Sequence, residues 1–519
     1  MSEVMSWDIP EASSYWGLIR SRAELTPDAP MLIEPSGRRT SFVEYAVMAE
    51  RLAAALYGQG IRAGSWVTWQ FPTGRAAALL IGALARLAAV QNPIIHLYRE
   101  REVGTVLRQS GSSFFIVPQH IGDHDSAEMA CRLIADMAGA PRLLVLDEEA
   151  LPQGDIGSLP AVQAGEHDVR WVFYTSGTTA DPKGAMHADL SVISAGRGLA
   201  QSYVLTPADV GALAFPIAHV GGAMYLAELL ISGASALLMQ RFVQDEAVAL
   251  FRWLDVTACG GSTAHYQTLV NAQALQPQTR LMPSLRVLGG GDAPKPPELY
   301  YRAKRELGVS ICHTYGMTEC PCVTIAPVDS DDQQLAYTDG VAQPDVELRI
   351  VDRDGMTVRN GVEGEIRIRG PGIFKGYADP TLNAAAFDEE GFFCTGDLGV
   401  LRDDRRLSLT GRIKDVIVRK GENISARELE DILSAHPTVG AVAVVGLPDA
   451  ERGERVCAVV ELARGMADFS FQQMTDHLAE AGLMRQKFPE QLEIVERMPR
   501  NETLNKILKN ELRERLGGA

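Results

Sequence analysis

Two hydrophobic periods alternate along roughly the first 320 residues, and this alternation limits the available folds more than any other feature of the chain. Ser41-Phe42-Val43-Glu44 fits a capping box. The helix predicted after it puts Tyr45, Ala49, Leu52, Ala53 and Leu56 on one face, and Gly58 and Gly60 end it. A strand is predicted at 66–71 and a helix at 76–87. Short strands recur at 114–117, 143–146, 171–174, 212–215, 236–239 and 285–288, mostly separated by helix-like stretches. The pattern predicts an α/β fold of layers around largely parallel sheets, whose ligands lie beyond the carboxyl ends of the strands.

At 519 residues the chain is long for one hydrophobic core, so two or more domains are expected. The texture changes after about Asp339. Segments 346–351 and 365–369 alternate apolar and polar residues around an Asp354-Gly355 turn, which predicts a β-rich subdomain over about 340–413. A compact α+β pattern begins near Asp415, with helices at 426–435 and 471–481 and strands at 441–446, 456–462 and 492–495. The expected division is a large N-terminal domain, 1–413, of layered α/β subdomains plus the β-rich one, and a small C-terminal domain, 414–519.

The net charge of −17, from 49 basic and 66 acidic residues, argues against general affinity for nucleic acid or anionic membrane. Of the seven cysteines only Cys320 and Cys322 are close, and C-x-C without a second pair is a poor metal motif. Reduced thiols, and so a cytoplasmic chain, are expected. The start, 1–10, carries acids and no apolar run, so no signal peptide is expected. The most apolar stretch, 76–95, is interrupted by Arg86, and no transmembrane segment is expected.

The densest chemistry lies in Tyr174-Thr175-Ser176-Gly177-Thr178-Thr179-Ala180-Asp181-Pro182-Lys183-Gly184, directly after an apolar strand. Hydroxyls and bare backbone N–H groups suit a polyphosphate, glycine allows close approach, and Lys183 adds a point charge. Pro182 occupies the place of the second glycine of G-x-x-x-x-G-K, so this is not a Walker A loop. A Ser/Thr/Gly surface loop would have a similar composition. Four more segments follow in order: His313-Thr314-Tyr315-Gly316-Met317-Thr318-Glu319, Thr395-Gly396-Asp397, Gly411-Arg412-Ile413-Lys414-Asp415 with Arg419-Lys420-Gly421, and Lys506 near the C-terminus. Each alone has a plain explanation as a turn, a cap or a solvated charge run.

In this order the segments resemble the acyl-adenylate-forming superfamily of acyl-CoA synthetases, adenylation domains and luciferases, over nearly the whole chain. The resemblance implies ATP, Mg²⁺ and coenzyme A as cofactors. It assigns Thr175, Ser176, Gly177, Thr178, Thr179 and Lys183 to the phosphates, and Gly291, Asp292, Ala293, Tyr315 and Gly316 to the base. It assigns Asp397 to the ribose hydroxyls, with Arg412 as its cationic neighbour. Thr318 would bond the α-phosphate, Glu319 would hold Mg²⁺, and Lys506 would neutralise charge during attack. His219 resembles a gate beside the substrate carboxylate, although a lone histidine in an apolar stretch is more often a core residue. Two departures stand out: Asn505 replaces the usual glycine before the catalytic lysine, and Gly260-Gly261-Ser262 replaces a Val-Pro-Pro-like turn.

Two half-reactions are implied: a carboxylate attacks ATP to give acyl-AMP, then a thiol takes the acyl group. Between them a mobile C-terminal domain would turn about Lys414 and bring Arg419, Lys420 and Gly421 to coenzyme A. A carrier protein as acceptor, or an inactive nucleotide-binding homologue, are the alternatives. The acyl pocket is expected to involve His219, Val220, Gly221, Tyr225, Gly260, Gly261, Gly289, Gly290 and Met317. The segments Gln91-Asn92-Pro93-Ile94-Ile95 and Gly289-Gly290-Gly291-Asp292-Ala293-Pro294-Lys295 resemble ligases of alicyclic or steroid-derived acids. Such an acid ranks first as substrate and a medium-chain fatty acid second. The small residues, Gly222 among them, leave room for a ring or mark tight turns. Homodimers are common among such relatives.

Overall fold

A computed structural model describes residues 12–162, 165, 168–175, 182–291, 293–419, 422–449, 451–501 and 506–517. It is a mixed α/β protein with a large N-terminal and a smaller C-terminal domain. The nine-stranded sheet has a parallel centre, in spatial order Ser310–Met317, Val287–Gly290, Ala258–Gly260, Val210–Leu213, Ser235–Leu238 and Pro30–Ile33. Antiparallel strands close both edges. The six-stranded sheet runs Gly184–Ala188, Val169–Tyr174, Val90–Pro93, Trp66–Trp69, Phe114–Pro118 and Arg142–Leu146, parallel except for its first pair. The predicted capping box is present, with Ser41 Oγ accepting from the Glu44 N–H at 3.2 Å and Glu44 accepting from the Ser41 N–H at 2.8 Å.

Buried helices join these sheets. Asp189 starts the helix Asp189–Ser202 and accepts from the Tyr15 N–H and the Trp171 indole N–H, both at 2.8 Å. It thereby ties the first helix to the strand that feeds the Thr175 loop. Gly196 lets this helix press on Val220–Ser232; a Cβ there would come within 2.8 Å of Ala227 Cβ. A four-stranded antiparallel sheet follows, Glu347–Val351, Glu363–Arg369, Phe393–Leu401 and Leu407–Arg412. Ile413–Asp415 form one 3₁₀ turn, after which Val416–Arg419 enters a five-stranded sheet built on the long pair Val439–Asp449 and Gly453–Leu462.

The motif Tyr315 to Glu319 spans a strand and its turn: the strand runs Ser310–Met317 and turns through Thr318 and Glu319 into Cys320–Ile325. The pairing slips between Tyr315 and Met317, at Gly316, where a Cβ would lie 2.3 Å from the Pro321 carbonyl oxygen. Among the described residues no helix is long and apolar enough to cross a membrane. None of the seven cysteines is in a disulfide.

Candidate active site

The site grows from strand ends. Thr175 follows Val169–Tyr174, its N–H donates to the Lys183 carbonyl at 2.9 Å, and the Lys183 N–H donates to Thr175 Oγ1 at 3.1 Å. These bonds cinch the base of the loop; Ser176, Gly177, Thr178 and Thr179 lie outside the described residues. Lys183 Nζ sits 5.2 Å from the centre of the Tyr377 ring. The segment holding Tyr377 pairs with Gly184–Ala188, so the sheet carries Lys183 and Tyr377 together. Tyr377 Oη donates to Glu319 Oε1 at 2.6 Å. Burial, then the Glu319 charge, push this phenol's pKa upward, so it keeps its proton and donates.

Thr318 is held from behind. His187, fully buried, donates from Nε2 to the Thr318 carbonyl oxygen at 2.8 Å. Burial lowers its pKa to about 4, so the ring is neutral at physiological pH. Asp397 and Arg412 are paired directly across two antiparallel strands. Cross-strand neighbours of opposite charge meet readily, and Arg412 Nε lies 2.9 Å from Asp397 Oδ1. Tyr315 Oη donates to the other oxygen, Oδ2, at 2.8 Å, so the buried carboxylate is gripped from both sides.

These groups line one cavity of about 820 Å³, large among small-molecule sites, which span roughly 300–1,000 Å³. Thr175, Lys183, Gly291, Gly316, Thr318, Glu319, Asp397, Arg412, Lys414 and Lys506 form its polar part. His219, Val220, Gly221, Tyr225, Gly260, Gly261, Gly289, Gly290 and Met317 form the other part. His219 caps the helix Val220–Ser232, with Nδ1 accepting from the Gly221 N–H at 3.2 Å. Tyr315 stands behind the wall, and neither Ala293 nor Gly222 is a lining residue. Lys506 rests on a turn in which its N–H donates to Asn501 Oδ1 at 3.0 Å. Asp292, Lys420, Gly421 and Asn505 lie outside the described residues.

Arg419 is elsewhere. It ion-pairs with Glu490, donates to the Phe488 carbonyl and lines a separate surface groove with Arg452 and Phe471. The glycines have a double use. A Cβ on Gly289 would come 2.5 Å from the Tyr203 ring, and one on Gly260 would come 3.0 Å from the Tyr225 ring. They admit tyrosines that form the wall, so much of the space they leave is already filled. Gln91 and Asn92 are buried strand residues bonded to the Ile81 carbonyl and Thr68 Oγ1, away from the cavity.

Three residues of interest carried no motif: His187, Tyr377 and Glu228, the last a buried cavity-lining acid. The only signal for Glu228 was a single charge in an otherwise uncharged helix.

Comparison with known proteins gives one family. The description "AMP-binding enzyme" matches residues 19–378, and "AMP-binding enzyme C-terminal domain" matches 428–504. The medium-chain fatty-acid–CoA ligase of Escherichia coli K12 is 30% identical over 521 residues, covering 98% of this chain and 91% of that protein. ATP-bound MatB from Rhodopseudomonas palustris superposes with a TM-score of 0.87 at 26% identity, covering 97% of this chain and 99% of that one. O-succinylbenzoate coenzyme A synthetase (MenE) from Bacillus subtilis, in complex with ATP and magnesium ion, gives 0.81 at 25% identity, covering 95% and 98%.

Proposed function

This chain belongs to the AMP-binding enzyme family, and we propose that it is an ATP-dependent acid–thiol ligase that forms an acyl-adenylate and then an acyl-CoA thioester. The observation that carries the reading is the single cavity: Thr175, Lys183, Thr318, Glu319, Asp397 and Lys506, from remote parts of the chain, line it together with a less polar extension.

In the first step a carboxylate oxygen of the acid bonds to the α-phosphorus of ATP, and the bond from that phosphorus to the pyrophosphate oxygen breaks. Asp397 accepts from the ribose hydroxyls while Tyr315 and Arg412 fix its orientation. Lys183 and the loop after Thr175 hold the outer phosphates. Thr318 bonds the α-phosphate, and Lys506 meets the negative charge that builds between the two reacting anions. Glu319 would hold Mg²⁺, since a hard cation prefers carboxylate oxygen. When bound, it neutralises phosphate charge.

In the second step the sulfur of coenzyme A attacks the acyl carbon, AMP leaves, and the thiol proton passes to solvent. Rotation about Lys414, in the turn between two sheets, withdraws Lys506 and carries the strand holding Arg419 toward the cavity. His219 guards the carboxylate end of the acyl site. The substrate is a hydrophobic carboxylic acid, with a cyclic or steroid-derived acid ranked ahead of a medium-chain fatty acid. The test is a panel of such acids scored for AMP release and coenzyme A thioester. ADP and orthophosphate as products would overturn the reading. Thioester formed only on a carrier protein would change the acceptor.

A further inference from the structure

The helix Val220–Ser232 has 12 buried residues, and Glu228 is its only acidic or basic residue. Glu228 is 2% exposed and lines the cavity. Its Oε2 is buried with no hydrogen-bond partner, and among the described residues no side chain bonds or ion-pairs with either carboxyl oxygen. Burial, reinforced by the charge of Asp209, pushes this carboxyl well above the usual carboxylate range. It is therefore a neutral acid with one O–H to donate and one carbonyl oxygen to accept. The wall around it includes Leu229, Ala234, Ala258 and Val287, with the Tyr225 ring alongside.

Leucine or methionine at this place would complete an apolar wall with no polar group to desolvate. A buried polar group left without a partner costs on the order of tenfold to a hundredfold in an equilibrium constant. Glu228 makes physical sense when something in the cavity completes its hydrogen bonds. It lies nine residues beyond His219, roughly 13 Å along the helix axis at the standard rise. The group it meets is thus remote from the carboxylate that His219 guards.

We propose that Glu228, with Tyr225 beside it, selects the far end of the acyl group, and that the acid activated here carries a neutral oxygen there, a hydroxyl or a ketone. This rests on the acyl-activating reading of the cavity. A hydroxyl satisfies both the donor and the acceptor of Glu228, and a ketone satisfies the donor. An ammonium group would require an ionised carboxylate inside an apolar wall, which the surroundings do not support.

The test compares acids that differ only in the distal oxygen. The pairs are cholanic acid against its 3-hydroxy and 3-oxo derivatives, and decanoic against 10-hydroxydecanoic acid, with 10-aminodecanoic acid as a further arm. AMP release is measured for the wild type, Glu228→Gln and Glu228→Leu. The expected result is a 10- to 100-fold higher kcat/KM for the oxygenated member of at least one pair, carried mainly in KM. Glu228→Leu should abolish or reverse that preference, and the isosteric Glu228→Gln should keep part of it. Equal use of both members by the wild type, a preference for the amine, or a preference that survives Glu228→Leu would overturn the proposal while leaving acyl activation standing. No AMP from any acid would overturn both.

Discussion

Tyr377→Phe removes one oxygen atom and tests how the carboxylate assigned to Mg²⁺ is held. The ring stays, so the contact under Lys183 and the edge-on packing against Phe374, 4.9 Å between centroids, are kept. What is lost is the 2.6 Å bond to Glu319 Oε1. Hydrogen bonds to a charged group are worth about 1.5–3 kcal/mol. Tyr377 is buried and Glu319 half-buried, so water can reach the carboxylate from its open side and the lower end applies, roughly a factor of ten. Partners that orient metal-binding carboxylates usually matter by about 10- to 100-fold in affinity or rate. The variant should need about ten times more Mg²⁺ for half-maximal ATP–pyrophosphate exchange. Thioester formation from supplied acyl-adenylate should barely change, because no pyrophosphate leaves in that step. The assay is exchange titrated with Mg²⁺ at fixed ATP, beside single-turnover thiolysis. A Mg²⁺ titration that superimposes on the wild type would refute the reasoning, and an equal fall in both steps would mean that the hydroxyl supports the fold rather than the cation.

Lys506→Ala should slow adenylation by about 10²–10³, the usual loss for one preorganised donor, and spare thiolysis of acyl-AMP; equal losses would remove Lys506 from the first step. Lys414→Pro should depress thioester formation more than exchange, since it stiffens the 3₁₀ turn Ile413–Asp415, and the reverse order would remove the hinge assignment. Burial takes the His187 pKa from 6.5 to about 4, so as pH falls through that window the unfolded chain gains a proton that the folded chain refuses. Stability is complete above pH 6.5 and drops by up to about 3 kcal/mol toward pH 4. Urea midpoints at pH 7.5 and pH 5 should therefore differ more for the wild type than for His187→Gln, and equal differences would count against the buried neutral ring. Gly289→Val should raise KM for the acid more than for ATP, because the new side chain meets the Tyr203 ring, and a KM change confined to ATP would place Gly289 outside the acyl wall.

The α/β layering was legible because buried parallel strands and amphipathic helices carry different periods, and the capping box at Ser41 marks a boundary by its own chemistry. The polar residues that share the cavity were legible through the family resemblance, whose motifs name them in order. What stayed hidden depends on pairing across sequence distance. Tyr377 reaches Glu319 because its segment pairs beside Gly184–Ala188. His187 meets the Thr318 carbonyl from 131 residues away. No local pattern encodes any of these. The glycines left two readings open, room for a ring or tight turns; Tyr203 and Tyr225 lie against Gly289 and Gly260, and only the packing distances reveal that.

The cavity combines groups fixed to different degrees, and this division suits a two-step reaction. Lys183, Tyr377 and Glu319 are cross-linked within the large domain by a cation–π contact and a hydrogen bond, and Thr318 is anchored to buried His187. Asp397 is clamped between Tyr315 and Arg412 on strands of that same domain. Lys506 belongs to the smaller domain, beyond the turn at Ile413–Asp415, and lines the same cavity. On the proposed mechanism, nucleotide positioning need not change when the smaller domain moves, while the cation assigned to the first attack moves with it. If Lys506 were built into the large domain, the charge that favours adenylation would also hold the adenylate in place during thiolysis. On the proposed mechanism, a cation on the movable part lets one nucleotide site serve both steps.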